Sequence, residues 1–147
     1  MKKIIIGLLG TANSGRTTVA KMLQKKGFYF VSINDKVAEF ASHLFSKDEL
    51  EKDRKVILNS IRRRGSSVNK EYWLNLILIS IPDSAKYIVF DDISLDEANN
   101  NKVSVYQVYR PNVSVERLKD IETIENDGSI KNLSEKIEKL YKEFISQ

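Results

Sequence analysis

A chain of 147 residues that contains no cysteine has no disulfide framework, no thiol nucleophile and no cysteine metal site. Its apolar fraction of 41% and charged fraction of 30% suit one globular domain, spanning 1–147, with a single proper core. No apolar run approaches the roughly 20 residues of a membrane span. The net charge of +4, from 24 basic and 20 acidic residues, suits anionic small molecules and is too weak to argue for nucleic acid.

Residues 3–9 form an isoleucine- and leucine-rich run that predicts a buried strand. The preceding Met1-Lys2-Lys3 has the charge of a signal-peptide start, but a glycine-bounded loop follows instead of a small-residue cleavage site. With no cysteine in the chain, an intracellular, cytoplasmic location is the default expectation. That loop, Gly10-Thr11-Ala12-Asn13-Ser14-Gly15-Arg16-Thr17-Thr18, has the spacing of the phosphate-binding G-x-x-x-x-G-K-[ST] motif, with Arg16 in place of lysine. Glycines at both ends let backbone N–H groups turn inward around a phosphate. The helix opening at Gly15, with Val19, Met22 and Leu23 on one face, adds the positive end of its dipole. Thr17 offers a hydroxyl to a magnesium ion between phosphates, and Arg16 a cation to the outer phosphates, as a planar fork where lysine is a point charge.

Lys25-Lys26-Gly27 closes that helix, and residues 28–33 predict a second strand. Asn34 or Asp35 is expected to cap a helix with Val37, Phe40, Ala41, Leu44 and Phe45 on its apolar face. Ser46-Lys47-Asp48-Glu49 is a capping-box pattern for another helix, carrying Leu50, Ile57 and Ile61 and ending at Arg62-Arg63-Arg64-Gly65. Asn69 is expected to cap the next, with Trp73, Leu76 and Ile77 inward and Pro82 beyond its end. Residues 87–90 and 103–109 predict further strands, 121–124 a short fifth. Asp127-Gly128-Ser129 turns into a last helix with Ile130, Leu133, Ile137, Leu140, Tyr141 and Phe144 on one side. Strands alternating with helices predict a three-layer α/β fold, a parallel sheet of about five strands covered on both faces. Ligands of such sheets bind beyond the carboxyl ends of the strands, where Gly10, Asp35, Asp91 and Arg110 all fall.

Asp91 and Asp92 close an apolar strand. A carboxylate there holds the metal of a phosphate loop near the loop threonine, which makes Asp91 the metal candidate beside Thr17, with Asp92 second. Asp35 reads either as a helix cap or as a group orienting an acceptor. Arg62, Arg63 and Arg64 are a solvated helix end or a grip for an acceptor phosphate. Arg110 and Arg117 flank the polar stretch from Pro111 to Ser114, where a lid over 110–120 would lie. Trp73 reads as core or as a stacking platform, and the lone His43 has no evident partner.

Taken together, these residues resemble the phage-type deoxynucleoside monophosphate kinases, close in fold to the dephospho-coenzyme A kinases. The likeness runs through Gly10 to Thr18, Ser32-Ile33-Asn34-Asp35, Asn69 to Trp73, Asp91-Asp92-Ile93-Ser94-Leu95-Asp96-Glu97-Ala98, Arg110-Pro111 and Asn126-Asp127-Gly128-Ser129. Arg16, Ala38 and Ile93 depart from the family's cationic positions. The resemblance implies a P-loop NTPase fold and a cytoplasmic enzyme of deoxynucleotide metabolism. Its reaction moves the γ-phosphoryl group of ATP, with Mg²⁺, to a (deoxy)nucleoside monophosphate. In that scheme Gly10, Asn13, Ser14, Gly15, Arg16, Thr17, Thr18 and Arg110 bind ATP, and Arg16, Asp35 and Arg117 serve catalysis. Asp35, Arg62, Arg63, Arg64 and Trp73 hold the acceptor within a helical region over 34–81, and Thr17 and Asp91 hold the metal. The partners are small nucleotides, with no membrane and no nucleic acid, and the chain is a monomer or homodimer. A dephospho-coenzyme A kinase-like phosphotransferase and a nucleotide-binding module of weak turnover are the alternatives.

Overall fold

The middle strand of the sheet is the first in the chain, because it is the most apolar and is buried along nearly its whole length. A computed structural model describes residues 2–98, 103–113 and 116–146. In it β1 (Ile4–Leu9) lies between β3 (Tyr87–Phe90) and β4 (Val103–Tyr109), with β2 (Tyr29–Val31) and β5 (Glu122–Glu125) at the edges. The order is β2-β3-β1-β4-β5, and every pairing is parallel, with Ile4 opposite Tyr87 and Gly7 opposite Phe90 between β1 and β3.

Period-two alternation sorts β1 between two cores. Ile6 and Leu8 face Val19 and Leu23 of α1 (Arg16–Lys25) and Leu133, Ile137 and Phe144 of α5 (Ile130–Ile145). Ile5 and Leu9 face Ile33 and Val37 of α2 (Ile33–Leu44) and Trp73, Leu74 and Ile77 of α4 (Tyr72–Ser80). Helix α3 (Lys47–Val68) packs over α2 and α4 and adds Leu58 and Ile61 to that second core. The result is the expected three-layer α/β architecture, with all strand carboxyl ends on one side.

Several local expectations change. The second strand stops at Val31, and Ser32, not Asn34 or Asp35, caps α2 by accepting from the Asp35 N–H. Phe40 and Leu44 are exposed, because the buried stripe of α2 is Ile33, Val37 and Ala41. The Ser46–Glu49 capping box forms as expected. The helix it opens does not end at the arginines but runs on to Val68, with a kink at Asp53. Gly65 is a contact point there: a Cβ on it would stand 2.7 Å from Trp73 Nε1 and 2.8 Å from Tyr72 Cδ1. Asn69 ends α3, and its side chain accepts from the Glu71 N–H, with Glu71 at the cap of α4. On α5, Ser129 caps the first turn and Ile130 is exposed rather than inward. No helix among the described residues is long and apolar enough to cross a membrane.

Candidate active site

Between β1 and α1 the loop turns through two left-handed residues, Asn13 (φ 67°) and Gly15 (φ 106°). Successive peptides of alternating hand form a concavity of N–H groups that favours anions. Ser14 N–H closes the turn onto Thr11 O at 3.2 Å, and Val19 N–H onto Gly15 O at 3.0 Å starts the helix. Beyond the loop lies an open cavity of about 350 Å³, lined by Thr11, Asn13, Gly15, Arg16, Thr17, Thr18 and Arg110. Gly10 leads into the loop; a Cβ there would stand 2.6 Å from Ser14 Oγ. Ser14 itself is buried, and its hydroxyl has no partner.

At the end of the neighbouring strand, Asp91 Oδ2 accepts a hydrogen bond from Thr17 Oγ1 at 3.2 Å. Its other oxygen, Oδ1, is buried and has no partner. Burial, and then the neighbouring Asp92, push the Asp91 carboxyl up to about 6, against the opposing pull of Thr17 and Arg16. A buried carboxylate oxygen without a partner, beside a hydroxyl and a phosphate-shaped loop, is a donor set that fits a divalent cation sharing its shell with phosphate and water. No cluster of three or more His, Cys, Asp or Glu residues able to hold a metal exists among the described residues.

Asp92 does different work. Its carboxylate accepts from Ser32 Oγ (2.8 Å), Ile33 N–H (2.7 Å) and Asn34 N–H (2.8 Å). It thus caps α2 from the next strand over, at the helix end where negative charge is favoured. Arg62 completes this junction: it grips Glu97 through Nε and Nη2, donates to Asn34 Oδ1 at 2.8 Å, and donates to the Asp92 carbonyl at 2.7 Å. Burial pushes the Glu97 carboxyl up, but Arg62 and Ser94 outweigh it and hold it below the usual range. The three neighbouring arginines therefore separate, Arg62 tied into the protein and Arg63 and Arg64 on the exposed side of α3. Trp73, only 1% exposed, packs in the core with Nε1 donating to Arg62 O at 2.8 Å, so it presents no free ring face. Asp35 is exposed near Asp91, whose carboxyl it helps to raise. His43 is exposed at the last turn of α2.

On the other side of the loop, Arg110 lines the same cavity, with Nη1 3.4 Å from Asn13 O. Arg117 lies apart from that cavity's lining; it pairs with Glu125 and covers the Tyr109 ring at 4.6 Å. Of the expected lid, Pro111 to Val113 form a turn closed by Val113 N–H onto Arg110 O, and Thr11 Oγ1 lies 3.5 Å from Val113 O. Ser114 lies outside the described residues. Two contributors escaped the sequence reading. Buried Gln107 donates to Glu116 O and accepts from Leu118 N–H, holding the chain after the turn. Asn126 donates to Ser14 O at 2.9 Å. An uncharged residue inside a strand pattern gives no signal for the first, and the Asn126-Asp127-Gly128-Ser129 segment was the available pointer to the second.

The strand order, the glycine-bounded loop at the head of α1 and the carboxylate at the end of the adjacent strand define a P-loop NTPase fold. Two solved structures share it. TT1252 from Thermus thermophilus has a TM-score of 0.62 at 17% identity, covering 97% of this chain and 98% of that one. A mutant of the APS kinase CysC of Mycobacterium tuberculosis has a TM-score of 0.53 at 12% identity, covering 96% and 98%. Among curated proteins, one of Methanosarcina mazei named "Putative adenylate kinase" is 37% identical over 70 residues, 46% of this chain. The match spans only 35% of that relative's length. No family model matches the chain.

Proposed function

We propose that the protein is a P-loop phosphotransferase that binds ATP on the 10–18 loop and passes its γ-phosphoryl group to a (deoxy)nucleoside monophosphate. The observation that carries this reading is the Thr17–Asp91 contact with its unpartnered Oδ1 beside the phosphate loop. The names of the Methanosarcina mazei and Mycobacterium tuberculosis proteins support phosphoryl transfer as the chemistry.

In this reading the loop amides and Arg16 hold the donor phosphates, and Arg110 approaches them from the β4 side. Thr17 and Asp91 would hold Mg²⁺, which when bound neutralises charge on the phosphates. An acceptor oxygen attacks the γ-phosphorus, the bond from that phosphorus to the β–γ bridging oxygen breaks, and the electron pair leaves with ADP. Little covalent work falls to the protein, and positioning with electrostatics supplies most of the acceleration. Asp35, at the mouth of the acceptor side, orients the attacking group.

A second reading takes a hydroxyl-bearing acceptor, such as dephospho-coenzyme A. The engagement of Arg62 favours it, since that guanidinium is spent on Glu97, Asn34 and Asp92. A hydroxyl must lose a proton, and in this reading the exposed Asp35, near Asp91, takes it. Phosphoryl transfer from γ-labelled ATP, measured across ribo- and deoxynucleoside monophosphates and dephospho-coenzyme A, tests both. Transfer to a monophosphate is expected. Transfer to dephospho-coenzyme A alone selects the second reading, and tight ATP binding with transfer to neither makes the protein a nucleotide-binding module.

A further inference from the structure

We infer that Asn126 is a positioning residue for the phosphate loop, fixing the Ser14–Gly15 peptide so that the Gly15 N–H aims into the phosphate cavity. The inference rests on the phosphate-site reading above.

Asn126 immediately follows β5, and its N–H donates to Tyr109 O at 2.7 Å. This continues the β4–β5 ladder one residue past the strand, so the sheet holds its backbone in place. From there the side-chain amide reaches a residue 112 positions earlier in the chain, Nδ2 donating to Ser14 O at 2.9 Å. A trans peptide is planar, with its C=O and N–H pointing in opposite directions. Holding the Ser14 carbonyl on the Asn126 side therefore turns the N–H of the same peptide, that of Gly15, the other way. Gly15 is among the residues that line the cavity.

The loop's own bonds, Ser14 N–H to Thr11 O and Val19 N–H to Gly15 O, engage the peptides on either side of this one. Glycine on its C-terminal side tolerates either orientation of the unit. The Ser14 side chain gives no anchor either, because its buried hydroxyl has no partner. The amide also packs directly on Gly15: a Cβ there would stand 2.5 Å from Asn126 Nδ2. The rest of the Asn126-Asp127-Gly128-Ser129 segment has separate work, since Ser129 caps α5 and Asp127 pairs with Lys136. Within this four-residue segment it is the Asn126 side chain that reaches back to the loop.

The test compares wild type with Asn126→Ala, Asn126→Asp and Lys136→Ala. Lys136 donates to Glu125 O and Asp127, so its removal loosens the same turn without touching Ser14. Affinities for MgATP, magnesium pyrophosphate and AMP are measured by titration calorimetry, with melting temperatures alongside. Asn126→Ala is expected to weaken ATP and pyrophosphate about 10-fold, the scale of one lost hydrogen bond. Asn126→Asp is expected to weaken them more, because a carboxylate faces the Ser14 carbonyl and the phosphates. Lys136→Ala should bind both like wild type.

If both Asn126 variants bind pyrophosphate like wild type, the inference is overturned. It is also overturned if Lys136→Ala loses as much as Asn126→Ala, since general loosening then explains the effect. If wild type itself binds neither ATP nor pyrophosphate, the phosphate-site reading falls and takes this inference with it.

Discussion

Thr17 and Asp91 stand 74 residues apart in the chain, yet the threonine hydroxyl donates to the aspartate carboxylate at 3.2 Å. Parallel pairing of β1 with β3, in the register that sets Gly7 opposite Phe90, brings the two strand ends level. The loop and helix after β1 then deliver Thr17 to the residue after β3. One side of Asp91 is thereby satisfied and the other left buried without a partner.

That burial has a measurable consequence in metal-free protein. The Asp91 carboxyl is raised from 3.8 to about 6 in the folded state. Between those values the folded protein binds more protons than the unfolded chain, so this group's contribution to stability falls as pH rises through the window. Asp91→Asn should therefore melt above wild type at pH 7.5 in EDTA, with the advantage shrinking toward zero near pH 4. A difference that stays constant across that range would contradict the raised carboxyl.

Glu97 and Arg62 make the opposite case, a buried pair in which each side satisfies the other. Removing Glu97 leaves Arg62 with the Asp92 carboxylate, 3.7 Å away, as its charged neighbour, and breaking a buried pair of this kind costs about 3 kcal/mol. Glu97→Ala should lower the unfolding free energy in urea by that amount. The double variant Glu97→Leu with Arg62→Met should lose less than the single one, because the Arg62 charge leaves with its partner and Asp92, which loses Arg62 at 3.7 Å, keeps its bonds from Ser32, Ile33 and Asn34.

Gly65→Ala separates helix propensity from packing. Alanine is worth about 1 kcal/mol over glycine inside an exposed helix, which alone predicts stabilisation. The new methyl would instead meet the Trp73 and Tyr72 rings at 2.7 and 2.8 Å, and overpacking of this kind costs about 1–3 kcal/mol. A net loss of stability by urea denaturation is expected, and a gain would show that the α3–α4 contact yields easily.

These cases also mark how far the sequence is legible. The five strands and the phosphate loop could be read because apolar runs and glycine spacing are local signals, and β4 falls where residues 103–109 predicted it. The place of Asp91 at the end of a strand beside the loop was legible for the same reason, and its contact with Thr17 is what the structure adds. The division of labour between adjacent residues was not. Asp92 caps a helix 58 residues earlier, and Arg62 departs from its neighbours toward Glu97, relations set by packing between distant segments. The glycine after the arginines looked like a helix end, when its small size serves a tertiary contact.

Arg16 bears most directly on the central claim, that the 10–18 loop is the phosphate site of an ATP-dependent transferase. Its guanidinium supplies the charge of the usual lysine in a different shape. Lysine in its place should keep ATP affinity and alter the rate of transfer more, because stabilising the moving charge is sensitive to displacements of an ångström.

The deciding measurement is the affinity for MgATP of wild type against Arg16→Ala, by titration calorimetry at fixed ionic strength. The expected result is a loss of about 10-fold or more, the scale of a charge-assisted contact to phosphate. Equal affinity in the two proteins would mean that Arg16 touches no phosphate, and would contradict the assignment of this loop.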